Sequence, residues 1–166
     1  SFSKGGAALK FMSGTKVVLN GATNHVMKFN PSSGTVSFLD GSELTVSTGK
    51  NFNIQSTLNS TCHLYLKGTI KGAGDIKFFA NSLTTFGTTV NMSNFTGDLR
   101  NDANSNANTA VTINGSVKAS IVYLPGAAVM TVQNDGSLDI SGNFQTANTA
   151  KVVLKAGTGT GSYGSI

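Results

Sequence analysis

The residues best suited to chemistry in this 166-residue chain are two aspartates beside its single arginine. Asp98 and Asp102 flank Arg100; Asp98 immediately precedes the stretch LRNDANSNAN, residues 99–108, which contains Arg100 and Asp102. Clustered carboxylates can bind calcium or act as the acid and base of glycoside cleavage. The asparagine-rich surroundings instead favour a loop in which Asp and Asn side chains form turns. We therefore expect 98–108 to protrude as a metal-free loop, where Asp→Ala changes alter stability by less than about 0.5 kcal/mol.

The other reactive side chains have no partners in a recognisable motif. Cys62 is the only cysteine, so an internal disulfide or a thiolate metal cluster is excluded, and a small buried hydrophobe is expected. His25 and His63 are far apart in sequence, and no serine lies in a nucleophile elbow. We accordingly predict no catalytic, cofactor-binding or metal-binding residues, and no enzymatic activity.

A glycine-rich stretch, GTIKGAGDIKFF at 68–79, raises the question of phosphate binding. A phosphate loop follows a buried strand and opens a helix. Here the glycines are followed by another alternating segment, DIKFF, so the nucleotide interpretation fails. Gly68, Gly72 and Gly74 are instead predicted to form corners between strands, where a positive φ or a close backbone approach is needed.

Apolar and polar residues alternate with period two along the whole chain, which predicts about a dozen short strands. GSELTVSTGKNFNI (41–54) and GSLDISGNFQT (136–146) are related copies of one strand-and-turn unit. Degenerate repeats of this kind favour a right-handed parallel β-solenoid over residues 1–166, as a single domain of seven or eight coils at about 20–22 residues each. A β-sandwich or jelly roll would explain the alternation but not the repeat.

The alternation also predicts which side chains form the core. These are Leu44, Val46, Phe52, Ile54, Leu64, Leu66, Ile76, Phe78, Val111, Ile113, Leu138, Ile140, Val152 and Leu154.

One segment of the chain, about residues 68–99, resembles the passenger-associated repeat of autotransporters and related secreted β-helix adhesins. That resemblance implies a β-helical surface protein and identifies no ligand. The matching positions are Gly68, Ile70, Gly72, Gly74, Ile76, Asn94, Phe95, Thr96 and Gly97.

The net charge and the composition of the two terminal segments bear on the partners and the location of the protein. The net charge of +5 comes from scattered lysines, which argues against a nucleic-acid partner, and no apolar stretch is long enough to span a membrane. The start at Ser1 fits a processed secreted protein or an excised fragment. Neither end carries an evident capping helix or polar repeat. We therefore expect an extracellular, cell-surface fibre, in which the Gly-rich segment 157–166 completes a neighbouring subunit, or a segment of a larger adhesin.

Two other functions stay open. A polysaccharide-binding or polysaccharide-cleaving β-helix would need an acidic cluster in a groove, or exposed tyrosines such as Tyr65 for stacking on sugars. Ice binding would need a regular threonine array, and the pairs at 84–85 and 88–89 do not recur at coil spacing in the sequence.

Overall fold

The computed structural model describes residues 8–22, 25–29, 34–56, 61–78, 81–101, 109–124, 126–146 and 149–155. All regular secondary structure in these ranges is β-strand, and every strand pairing is parallel. The strands are β1 (Ala8–Phe11), β2 (Lys16–Leu19), β3 (His25–Phe29), β4 (Gly34–Phe38), β5 (Glu43–Val46), β6 (Asn51–Ser56), β7 (Cys62–Leu66), β8 (Thr69–Lys71), β9 (Asp75–Phe78), β10 (Ser82–Phe86), β11 (Leu99–Asn101), β12 (Ala110–Ile113), β13 (Ser116–Ala119), β14 (Val122–Leu124), β15 (Val129–Val132), β16 (Ser137–Ile140), β17 (Phe144–Thr146) and β18 (Lys151–Leu154).

Each strand pairs with the equivalent strand of the next coil, which confirms the β-solenoid and excludes the antiparallel sandwich. One side is a seven-stranded sheet in the order β1-β4-β7-β10-β12-β15-β18. The second side is a six-stranded sheet in the order β3-β6-β9-β11-β14-β17. The third side is divided into a three-stranded sheet, β2-β5-β8, and a two-stranded sheet, β13-β16. The handedness of the coil stays a prediction.

Coil length varies more than the sequence repeat suggests. Ala8 pairs with Thr35, and Thr35 with His63, which are offsets of 27 and 28 residues. Ala110 pairs with Val129, an offset of only 19. Because several coils are longer than the expected 20–22 residues, the described strands complete fewer coils than the seven or eight predicted.

Glycines form the corners at 68–74, as predicted. Gly72 has φ = 104°, in the region that disfavours residues with a Cβ. A Cβ at Gly68 would overlap the carbonyl oxygen of Ser42 in the preceding coil, and one at Gly74 would overlap that of Ser47. The close passage of successive coils therefore requires glycine at these corners.

The core is a set of columns in which inward-facing side chains stack from coil to coil. Phe11 lies on Phe38 with ring centroids 4.4 Å apart, and Phe38 meets Phe52 edge to face at 5.8 Å. Burial is confirmed for ten predicted core residues: Leu44, Val46, Phe52, Leu64, Leu66, Ile76, Phe78, Val111, Ile113 and Leu138.

The remaining core predictions concern the last coil and one residue outside the described side chains. Ile140 and Val152 are partly buried against the core. Leu154 is 53% exposed, so its predicted burial is wrong. Its position still continues an inward column, because it pairs with the buried Val132. Within the described residues, β18 is the last strand of its sheet and no further strand pairs with it. The side chain of Ile54 lies outside the described residues.

The third side is broken within the coil that contains β10 and β11. Two isolated bridges, Thr69 with Asn91 and Gly72 with Phe95, hold this segment against the coil before it. The Oδ1 atom of Asn91 accepts hydrogen bonds from both the backbone N (3.1 Å) and the Oγ (2.9 Å) of Ser93. These side-chain bonds compete with strand pairing, so the segment turns where a strand would otherwise continue the sheet.

Candidate functional site

Of the two predicted acidic residues, only Asp98 lies within the described residues, and its carboxylate is engaged in contacts within the protein. The backbone N of Ile121 donates to Asp98 Oδ1 at 3.1 Å, and Arg100 Nη1 lies 3.5 Å from Asp98 Oδ2. The guanidinium of Arg100 also lies 5.7 Å from the centroid of the Tyr123 ring. The expected protruding loop over 98–108 is therefore wrong at its beginning, since Leu99–Asn101 is a strand of the six-stranded sheet. Asp102 and the rest of the loop lie outside the described residues.

The structure brings together two aspartates that the sequence analysis did not connect. Ile76 pairs with Leu99, which places the preceding residues, Asp75 and Asp98, side by side on adjacent coils. Burial, together with the neighbouring Asp98 carboxylate, raises the pKa of Asp75 above its ordinary value. In the sequence, each of these aspartates comes just before an apolar strand residue. That pattern identifies them as neighbours only once the strand register is known.

The remaining sequence candidates lie apart from this pair. Cys62 is fully buried, which confirms the prediction of a small core residue. His63 and Tyr65 point outward from β7, and their rings are nearly parallel, with centroids 6.2 Å apart. Tyr65 is 37% exposed. The side chain of His25 lies outside the described residues.

The outward face of the seven-stranded sheet carries no Lys, Arg, Asp or Glu side chain over five adjacent strands, β4, β7, β10, β12 and β15. Within it, Thr85, Thr112 and Thr131 are consecutive register partners and form what we call the hydroxyl column. The threonine pair at 84–85 does not recur, since Thr84 pairs with Val111, but single threonines continue the column from Thr85. Thr84 itself is buried and faces the core. The outward-register positions are Thr35, Ser37, His63, Tyr65, Leu83, Thr85, Ala110, Thr112, Val129 and Thr131, of which Ser37 is buried.

The broken third side, unlike this face, carries charged side chains, and they surround a small cavity together with polar ones. The cavity, here called the break cleft, has a volume of about 190 Å³. Val90 and Met92 are buried beneath it. Lys118 and Asp139 extend from paired positions on β13 and β16. The lining residues are Val90, Asn91, Met92, Ser93, Ser116, Lys118 and Asp139.

A third surface lies at the end of the described stack and is called the end face. It consists of inward-register side chains of the last coil, Phe144, Val152 and Leu154. Phe144 is 37% exposed although its partner Val122 is fully buried. Leu154 is likewise exposed, although its register partner Val132 is fully buried. The end face therefore presents core side chains that the next coil would normally cover.

Comparison with known proteins identifies no relative. No protein-family model, no curated protein and no solved structure matches the chain. Within the described ranges, no group of three or more His, Cys, Asp or Glu side chains is placed to hold a metal ion. The described residues also contain no helix with the length and apolarity needed to cross a membrane. The three surfaces above are therefore the basis for assigning a function.

Proposed function

We propose that this protein is a structural and adhesive β-solenoid that assembles end to end outside the cell, as the subunit of a homopolymeric surface fibre or as a segment of a larger adhesin. The observation that carries the proposal is the end face, where Leu154 is 53% exposed while its column partner Val132 is fully buried. Apolar side chains of this size are stabilised by burial, at about 25 cal/mol per Å².

The first described coil offers a matching surface for a second copy of the chain. β1 pairs only with β4, and β18 only with β15, so each ends its sheet within the described residues. Parallel pairing of β18 with β1 of the next subunit would place Leu154 on Phe11 and continue the same inward column. This register sets Lys151 opposite Ala8, and Val153 opposite Lys10, so no two lysines face each other directly.

Such a join repeats without closing, because the two surfaces are different and lie at opposite ends of the described stack. Contacts of this head-to-tail kind produce filaments rather than closed dimers. Strand addition at an open sheet edge supplies backbone hydrogen bonds, and the end-face side chains supply specificity. The segment 157–166, which we expect to be engaged by the neighbour, lies outside the described residues.

Electron microscopy and sedimentation of three proteins test the assembly. Leu154→Asp puts a charge on the end face, whereas Val153→Asp puts the same charge on the outward side of the same strand, where Val153 is 37% exposed. We expect filaments from the wild type and from Val153→Asp, and none from Leu154→Asp. Monodisperse monomers of the wild type at high concentration, or closed dimers, would overturn the proposal.

The extracellular location rests on composition and on the resemblance to secreted adhesin repeats. Only 11% of residues are charged, and the chain has 20 glycines. Binding of an antibody against the protein to intact, unpermeabilised source cells is the expected result. Labelling that requires permeabilised cells would contradict this part of the proposal.

A second candidate function, ice binding, is favoured by the hydroxyl column. Its threonines repeat at the strand spacing of about 4.8 Å, on a face whose five adjacent strands carry no Lys, Arg, Asp or Glu. Thermal hysteresis of the purified protein is the direct measurement. Thr112→Lys in the column should abolish any activity, whereas Thr45→Lys, on the outward side of β5, should leave it unchanged. Absence of hysteresis in the wild type rejects this second function.

A further inference from the structure

We propose that the break cleft is a saccharide-binding site that holds one sugar ring of a glycan. The proposal goes beyond end-to-end assembly, because none of the residues lining the cleft belongs to the end face. It follows from the way the cleft forms, from the polar groups around it, and from its size.

The cleft exists because one strand edge has lost its neighbour. β13 pairs with β16, and within the described residues no strand pairs with its other edge. The turn at Asn91–Ser93 occupies the place of that neighbour, held by the hydrogen bonds to Asn91 Oδ1. An unpaired strand edge offers backbone N–H and C=O groups to a ligand.

The side chains at the rim can both donate and accept hydrogen bonds. Lys118 and Asp139 line the same small space from paired positions, yet no ion pair or hydrogen bond joins their side chains in the part of the chain that the structure describes. The Asn91 amide oxygen is engaged by Ser93, so its NH₂ group is directed to other acceptors. A carboxylate accepts, an ammonium and an amide NH₂ donate, and the Ser116 hydroxyl does both.

These groups match the chemistry of a sugar ring better than that of an ion. One lysine and one aspartate cancel in charge, so neither a simple anion nor a simple cation is favoured, and a single carboxylate is too few for a divalent cation. Sugar hydroxyls need acceptors and donors side by side. The C–H groups of a ring face can rest on the apolar base formed by Val90 and Met92, which are 6% and 2% exposed.

The volume limits the ligand to a single ring. The cleft holds about 190 Å³, below the range of about 300–1,000 Å³ that is usual for drug-sized ligands. A longer glycan would therefore place one residue in the cleft, with its neighbours outside. This arrangement suits adhesion, in which many weak sites along a fibre add their affinities.

Titration of ¹⁵N-labelled protein with methyl glycosides of neutral hexoses, N-acetylated amino sugars and uronic acids tests the site. Sodium phosphate and glycine serve as non-sugar probes. We expect amide shifts confined to residues 90–93, 116–118 and 139 with at least one glycoside, and none with phosphate or glycine. Asp139→Asn should weaken binding about tenfold or more, since it removes a charged acceptor. Asp135→Asn, outside the cleft, is the matched control.

Several results would overturn the saccharide site. These are shifts with phosphate alone, no confined shift with any glycoside, or unchanged affinity in Asp139→Asn when its other amide resonances match the wild type. The titration uses the Leu154→Asp protein if the wild type forms filaments. Filaments without sugar binding would reject only the cleft, and sugar binding by a protein that never polymerises would reject only the assembly.

Discussion

Two sides of the same solenoid differ in continuity. The seven-stranded sheet runs unbroken through the described stack, whereas the third side is interrupted between β8 and β13. The core is nevertheless continuous across the interruption, since Val90, Met92 and Phe95 in the turn segment are 6%, 2% and 0% exposed. The comparison teaches that the inward columns of side chains continue even where strand pairing on one of the three sides is interrupted.

The break also separates two surface chemistries. On the unbroken side, uniform strand pairing aligns outward residues into columns such as Thr85, Thr112 and Thr131. On the broken side, a lost strand leaves a cavity with charged residues around it. A regular face suits repetitive contacts, and a cavity suits a single small ligand.

The largest expected effect tests whether core packing stabilises the broken side as much as the unbroken side. Phe86, in the unbroken sheet, and Phe95, in the turn segment, are both fully buried. Phe86→Ala and Phe95→Ala should each lower the free energy of unfolding by about 3–5 kcal/mol. Chemical denaturation of both variants measures this directly. A cost for Phe95→Ala below about 1 kcal/mol, beside a large cost for Phe86→Ala, would show that the break is only loosely packed.

The next effect contrasts the middle of a column with its end. Ile113, Val132 and Leu154 occupy one inward column, with the first two fully buried and Leu154 half exposed. Ile113→Ala should cost about 2–5 kcal/mol, and Leu154→Ala in the unassembled protein less than about 1 kcal/mol. If both substitutions cost the same in dilute monomer, Leu154 is covered and the end face does not exist.

A smaller effect concerns the corner at Gly97–Asp98, which follows the turn segment and forms hydrogen bonds with the next coil. Ser120 N donates to Gly97 O at 2.8 Å, and Ile121 N donates to Asp98 Oδ1. Asp98→Ala removes an acceptor from a backbone N–H, so we expect a loss of about 1–3 kcal/mol, more than the sequence alone predicts. Asp98→Asn keeps an acceptor and should lose less. Equal stability of wild type and Asp98→Ala would return Asp98 to the status of a surface residue.

How far the sequence could predict these features depends on whether they are local. Period two places Leu44, Leu66 and Ile113 inward, because alternation fixes the buried face of each strand. The glycine corner at Gly72 is equally local. The register between coils is not local, since Thr85 and Thr112 are 27 residues apart while Thr112 and Thr131 are 19 apart, so the hydroxyl column follows no fixed period.

The break was equally hidden from the sequence. Residues 88–92, TTVNM, alternate like a strand, and the alternation predicts one there. In the turn, the Asn91 side chain accepts a hydrogen bond from the backbone N of Ser93. Such a side-chain bond competes with strand pairing, and the alternation of apolar and polar residues does not show which of the two forms. The cleft depends on that turn, and the β13–β16 register that places Lys118 beside Asp139 is not local, so no site residue there could be named in advance.

The smallest expected effect is a pH dependence at the corner beside Asp98. Burial and the Asp98 carboxylate raise the pKa of Asp75 in the folded protein above its ordinary value of 3.8. The folded state thus binds this proton more tightly than the unfolded state. The resulting stabilisation is complete below the unfolded pKa and is lost as pH rises through the folded pKa. Asp75→Asn should therefore gain stability relative to wild type as pH rises from about 4 to 7.

Urea denaturation of both proteins across that pH range measures the difference, in which the other titrating groups largely cancel. Asparagine keeps an acceptor oxygen where Asp75 accepts the backbone N–H of Asp98, so the comparison isolates the charge. A difference that stays constant with pH, or that falls as pH rises, would mean that burial and the Asp98 carboxylate do not raise the pKa of Asp75 in the folded protein.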